Sequence, residues 1–267
     1  MNMPLFRRSF KERRRSLAWW AVGMLLTALI YTALYPSIKD VYTQMDQFPE
    51  DLLKAFGLEG IGDLGTASGY LQVELFSFMA PIIVIAFGAV LGVGAIASSE
   101  RSGEMELLMA NPISRTTVVV QRFIAMLVFI VLLSVVLWFG LAIGTPFDVW
   151  PGLNQWNLIQ AVISLILLGW AFGSLAMAFS AVTGASGLSY GLVVVIALLT
   201  FMLNSFSQII ESLETMKWVS PFYYYTGSNP LTDGLNWWHT LVPIGIIAVA
   251  LAVSLFAFNR RDMKSPD

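Results

Sequence analysis

Six charged side chains, Glu100, Arg101, Glu104, Glu106, Arg115 and Arg122, fall within the stretch SSERSGEMELLMANPISRTTVVVQR. The long apolar runs on either side carry almost no charge. Carboxylates and guanidiniums in this pattern can pair, favour helix ends and meet a partner surface. They do not make a nucleophile, a metal cage or a phosphate cradle. The rest of the chain adds little reactive chemistry. Cysteine is absent and His239 is the single histidine, which excludes disulfides, thiolate chemistry and a multi-histidine metal site. His239 follows Trp238 and reads as an interface residue rather than a base. There is no H-E-x-x-H, and no aspartate pair lies within an apolar run. No G-x-x-x-x-G-K-[ST] loop precedes Lys11, Lys39, Lys54, Lys217 or Lys264. The chain is therefore expected to be no enzyme, to bind no cofactor or metal, and to depend on another polypeptide for any ATP hydrolysis.

What must position these charges is a set of membrane helices. Of 267 residues, 57% are hydrophobic and only 12% charged, against about 25% charged in a soluble domain. The mean hydropathy is +0.73. A water-soluble fold of this composition would expose large apolar patches, so most of the chain is expected in lipid. A crossing helix needs about 20 apolar residues. Six stretches qualify, at about 17–35, 71–97, 118–143, 158–182, 188–206 and 241–258. The fold class is an all-α integral membrane protein, read as one transmembrane domain over residues 1–267.

Lysine and arginine set the orientation. With six spans both termini share a side, and that side holds twelve of the fifteen basic residues, leaving Lys39, Lys54 and Lys217 opposite. Both termini are expected in the cytoplasm of a multi-pass protein of the cell membrane. Span one is expected to be retained, since its apolar run is too long for a signal peptide and no cleavage site follows. Residues 1–16 read as an interfacial amphipathic helix, with Phe6 and Phe10 toward lipid, Arg7 and Arg14 toward headgroups, and Trp19 and Trp20 at the inner edge. Tyr31, Tyr35, Trp150, Trp156, Trp218, Trp237 and Trp238 are expected near the outer headgroup layer. An outer loop begins at Pro36. A third outer segment, 207–240, is rich in aromatic residues and suits short helices dipping into the membrane.

Within the insert, Ser102 is positioned to cap a helix starting at Gly103. Glu104 and Glu106 follow in its first turn, where carboxylates favour the positive helix end. Met105, Leu108 and Met109 share a face. Asn111-Pro112 ends this helix, and Ser114 caps the next. A helix of two turns is unstable alone in water and must dock. It can dock on its own protein, on the membrane, or on a cytoplasmic partner. Glycines at four-residue spacing, Gly88/Gly92, Gly169/Gly173 and Gly187/Gly191, allow close helix approach, within the chain or between subunits. Pro81 is expected to kink span two. Ser134, Ser164, Ser174, Ser180, Thr200 and Asn204 read as helix contacts or back-bonded side chains.

The insert resembles the first cytoplasmic loop of type-2 ATP-binding-cassette exporter permeases, which typically shows Glu, then Gly-Thr-x-Glu, Leu-Leu, Pro and Ser-Arg. Glu100, Gly103, Glu106, Leu107, Leu108, Pro112, Ser114 and Arg115 match, and Glu104 replaces the usual threonine. KWVSPFYYY, with Trp218, Ser220, Pro221 and Phe222, is similar to the family's W-x-S-P-F segment before its last span. The resemblance implies a permease subunit whose loop 98–117 carries a short cytoplasmic coupling helix. It implies a second permease subunit, identical or not, and two ATPase subunits that bind ATP and Mg2+. It also implies an outer re-entrant segment that closes the outer mouth. Membrane lipids are the other expected partner; nucleic acid is not one. The scarcity of charge in the spans suits export of a lipidic, amphipathic or antibiotic-like substrate. Two alternatives stay open: a non-transporting membrane anchor or sensor that recruits a cytoplasmic ATPase, and an ion-coupled carrier. The carrier is disfavoured because ionisable groups are scarce mid-span, with Glu74 and Arg122 near span ends.

Overall fold

The computed structural model of the protein describes residues 4–45, 65–109, 113–144, 147, 149–207, 210–227 and 229–261. Every regular element among them is helical. In chain order they are α1 (Pro4–Met45), α2 (Ala67–Tyr70), a π-helix (Leu71–Met79), α3 (Ala80–Ala95), α4 (Ala97–Arg101) and α5 (Glu104–Met109). Then come α6 (Arg115–Ala142), α7 (Gln155–Thr183), α8 (Ser186–Phe206), a 3-10 segment (Glu211–Val219), α9 (Pro221–Thr226) and α10 (Trp237–Arg260). Among the described residues six helical stretches are long and apolar enough to cross a membrane: Ser9–Val41, Ala67–Ala95, Arg115–Ala142, Gln155–Thr183, Ser186–Phe206 and Trp237–Arg260. Each contains the corresponding apolar stretch of the sequence, or all but its last residue or two.

The bundle is centred on α7, which packs on α3, α6, α8 and α10. Glycine explains how closely α3 and α7 meet. A Cβ on Gly88 would sit 2.6 Å from the Gly169 carbonyl oxygen, and one on Gly92 would strike the Gly173 carbonyl. Two of the three glycine pairs thus interlock inside the chain. At Gly187 and Gly191 a methyl would meet nothing within 4 Å, which leaves one side of α8 open. On that helix Leu188, Val195, Leu198, Leu199 and Met202 are exposed.

Two expectations need correction, at Pro36 and at the rings of Tyr35 and Trp150. The head runs into the first span as one unbroken helix of 42 residues, and the low burial of that stretch is consistent with an interfacial head. Phe10 stacks on Phe129 of α6, ring centroids 4.8 Å apart, and Arg13 fills the space beside Gly94. Pro36 does not begin a loop, because α1 continues through it to Met45. Proline removes a single N–H, and the surrounding helix persists. Finally, Tyr35 and Trp150 are buried within the protein and do not present their rings to headgroups. They pack on Tyr70 and on each other, and Trp150 Nε1 donates to the Leu141 carbonyl at 3.0 Å. Trp156, Trp218, Trp237 and Trp238 are exposed.

Candidate functional site: the charged insert

The insert begins where the helix of span two is interrupted. Ile96 leaves the helical region at φ −130°, ψ −76°. In an unbroken α-helix the Ala97 N–H would bond the Val93 carbonyl. Here the Ser180 hydroxyl of α7 stands between them, accepting from Ala97 N–H at 2.7 Å and donating to the Val93 carbonyl at 3.3 Å. A side chain inserted into the helical ladder is a recognised cause of kinks. It turns the chain into α4 while leaving neither backbone group unsatisfied. Removing the hydroxyl lets those two groups pair directly. Ser180→Ala is therefore expected to keep the stability within about 1 kcal/mol while straightening the span into the insert. Hydrogen exchange at residues 96–103 checks this, since a straightened ladder protects Ala97 and the residues after it more strongly.

Gly103 closes α4. Its φ of +73° is a conformation that favours glycine, and its N–H bonds the Glu100 carbonyl at 3.0 Å. Ser102 is thus the C-terminal cap residue of α4 and not the N-cap of the next helix; its hydroxyl donates to the Ser99 carbonyl at 3.2 Å. The second short helix, α5, starts at Glu104 and has six residues. Ser114 does cap α6, accepting from Thr117 N–H at 3.2 Å.

The charged residues divide into two inward-facing groups and an exposed face. Glu100 is 3% exposed, and both its carboxylate oxygens accept from Arg261 Nη2, at 2.5 and 2.6 Å. Arg261 lies just beyond the end of α10 and rests against Gly184 in the turn between α7 and α8. Gly184 has a φ of +63°, and a side chain there would collide with the guanidinium. Arg115 completes this group. Its Nη1 donates to the Phe258 and Arg261 carbonyls at 2.9 and 2.7 Å, where a cation satisfies the open carbonyls of a helix C-terminus. The second group centres on Arg122 of α6, which donates to the Ala95 carbonyl, to Ser99 Oγ at 2.8 Å and to Glu104 at 2.9 Å. Ser99 also donates to Glu104 at 2.8 Å. Arg13 of α1 lines the same small polar cavity, of about 30 Å³, with Glu12 and Ser9.

Exposed on the other face are Arg101, Ser102, Glu106, Ser114 and Thr116, while Met105 is fully buried. The side chains of Leu107 and Leu108, and the whole of Pro112, lie outside the described residues. The geometry is that of a clamped strut. Charges on α4, α5 and the start of α6 tie the insert to α6 and α10, beside Arg13 of α1, and one short charged face meets no partner among the described residues.

The aromatic segment before the last span, expected on the outer side, is built with comparable care. Ser220 caps α9 by accepting from Phe222 N–H at 3.2 Å, and donates to the Thr200 carbonyl of α8 at 2.7 Å. Phe222 packs between Phe172 and Phe201. Pro221 occupies the first helical position, where its missing N–H costs nothing. Trp218 is exposed and meets Tyr223 edge-on. Of the residues expected at the membrane interface, Arg14 and Trp19 are exposed, Trp20 packs on Phe87, and the side chains of Phe6 and Arg7 are outside the described residues.

The model of the ABC-2 family transporter proteins matches residues 3–263. The chain belongs to that family. No curated protein matches it. The ABC-2 assignment covers all six spans, the insert and the outer segment together, so a membrane-embedded permease domain of this class is what the helices build. Sequence reasoning placed the insert but missed Arg261, Ser99 and Arg13 as its anchors. The available signal was Glu100 itself: a carboxylate at the end of so apolar a run needs a buried cation.

Proposed function

We propose that this ABC-2 permease subunit lines the export path of an ATP-driven transporter and receives the ATPase stroke through α4 and α5. The observation that carries this reading is the two-sidedness of the insert. Its inner face is tied by partly buried ion pairs to the third and last spans and sits against Arg13 of the first, so a push on the outer face must move them. Its outer face presents Arg101 and Glu106, a charged rim suited to a groove on a partner. Glu100, Gly103, Glu104 and Arg115 are then the rigid mount, and Glu106, with Leu107 and Leu108, makes the contact. Two ATPase subunits supply ATP and Mg2+ chemistry. The charge bias puts the insert and both termini in the cytoplasm.

A second permease subunit, identical or related, pairs with this one. Of the three glycine pairs, Gly187/Gly191 is the one that meets no other helix among the described residues, which makes the open side of α8 its natural seat. The path between subunits is apolar and suits lipidic, amphipathic or antibiotic-like cargo. The outer segment, with Trp218, Ser220, Pro221 and Phe222, closes the outer mouth.

The coupling claim is tested by Glu106→Lys. The variant is expected to accumulate normally, because Glu106 is exposed, yet to lose at least tenfold in ATPase pull-down and in transport, on the order of 1.4 kcal/mol or more of contact energy. Unchanged association and transport would remove the insert from the mechanism.

A further inference from the structure

The first half of span two is a nine-residue π-helix, Leu71–Met79. Such segments are rare, and they often mark functional sites. At its end the Ala80 N–H bonds the Leu75 carbonyl, five residues back. In the same register the Phe76 carbonyl would await the N–H of residue 81. Residue 81 is proline and has none. The Phe76 carbonyl is therefore left without a helical donor in that register, an arrangement that demands a partner from elsewhere. That partner is the hydroxyl of Tyr225 in α9, which donates to it at 2.8 Å. Tyr225 is buried, and burial pushes its phenol well above the ordinary value, so it stays protonated and remains a donor. The backbone beneath it is held as well, since Ser164 of α7 donates to the Tyr225 carbonyl at 3.3 Å.

We propose that Tyr225 is the positioning residue that seats the re-entrant helix α9 on span two, by supplying the donor that Pro81 withholds from the Phe76 carbonyl. With the Tyr225 hydroxyl removed, the Phe76 carbonyl has no donor in the π register, and that stranded acceptor is what makes the seated state costly; any group that supplies a donor there lowers the cost. The hydroxyl thus links the shape of span two to the outer segment that carries α9. This role rests on reading that segment as the outer closure.

The test uses the absence of cysteine from the chain. Leu231, 2% exposed, is replaced by cysteine in the full-length protein, and its labelling by a membrane-impermeant maleimide is timed on intact cells. Adding Tyr225→Phe should speed labelling about tenfold, the scale expected when a buried acceptor loses its donor. Adding Pro81→Ala as well restores an N–H for the Phe76 carbonyl in the π register, and should return labelling to within about twofold of the start. Unchanged labelling in Tyr225→Phe, or faster labelling that Pro81→Ala does not reverse, would overturn the proposal. If the Tyr225→Phe protein does not accumulate, accumulation of the double variant supports the seat and its failure refutes it. None of these readouts requires an ATPase, so a negative result here leaves the coupling reading standing, and a failure of coupling leaves this one.

Discussion

Replacing Arg261 with alanine should detach the insert from the last span and cost about 3–5 kcal/mol, the range for removing one member of a buried ion pair. The size of the effect follows from what is left behind. Glu100 is almost fully buried, and Arg261 Nη2 holds both its oxygens. Without that cation the carboxylate must ionise in a dry site or draw water in. A thermal melt of the purified protein should show the loss directly, and ATPase pull-down should fall with it. Arg261→Lys should recover part of the stability, because a single nitrogen makes both contacts and an ammonium can approximate it. Glu100→Gln in the Arg261→Ala background should recover more, since it removes the stranded charge. Equal stability of Arg261→Ala and the parent would mean that the pair does not mount the insert.

The second large effect is expected at Gly92. Its missing side chain lets α3 lie against α7, with the Ala176 Cβ and the Met177 amide nitrogen 2.8 and 2.9 Å from the position a methyl would take, and the Gly173 carbonyl closer still. Two of those three neighbours are backbone and cannot rotate away. Gly92→Leu should therefore cost at or above the top of the ~1–3 kcal/mol range for overpacking, and the protein should fail to accumulate. Gly191→Leu provides the contrast. Nothing lies within 4 Å of that site, so the chain should fold normally, while self-association measured in detergent should change if α8 carries the second subunit. Similar melting of both variants would contradict the packing described for α3 and α7.

Much of this architecture is legible in the residues because the membrane imposes simple demands. Twenty apolar residues suffice to mark a span, so all six are readable, and Ser114 announces the start of α6 through its capping chemistry. Local grammar failed where a distant group decided the outcome. Ser102 looks like an N-cap, but the left-handed turn at Gly103 hands it to the preceding helix. Tyr35 and Trp150 look like interface rings, yet they find one another across the bundle. Pro36 looks like a terminator, and α1 runs on past it. The candidate site follows the same division. The charged insert stands out by composition, whereas its mounting depends on Arg13, Ser180 and Arg261, which are 91, 76 and 157 residues from Glu104 along the sequence. The Tyr225 contact is half-readable. Pro81 signals a carbonyl in need, and nothing in the sequence says which hydroxyl answers.

The coupling account is tested most directly at Glu106. A photo-crosslinking amino acid at this position, in membranes that contain the whole transporter, should form an adduct with the polypeptide that carries the ATP-binding loop, and its yield should change when nucleotide is added. The same group at Trp156, on the opposite side of the membrane, should form none. Adducts from residue 106 to lipid alone, or none to a nucleotide-binding chain while transport persists, would show that the insert is not where the motor engages.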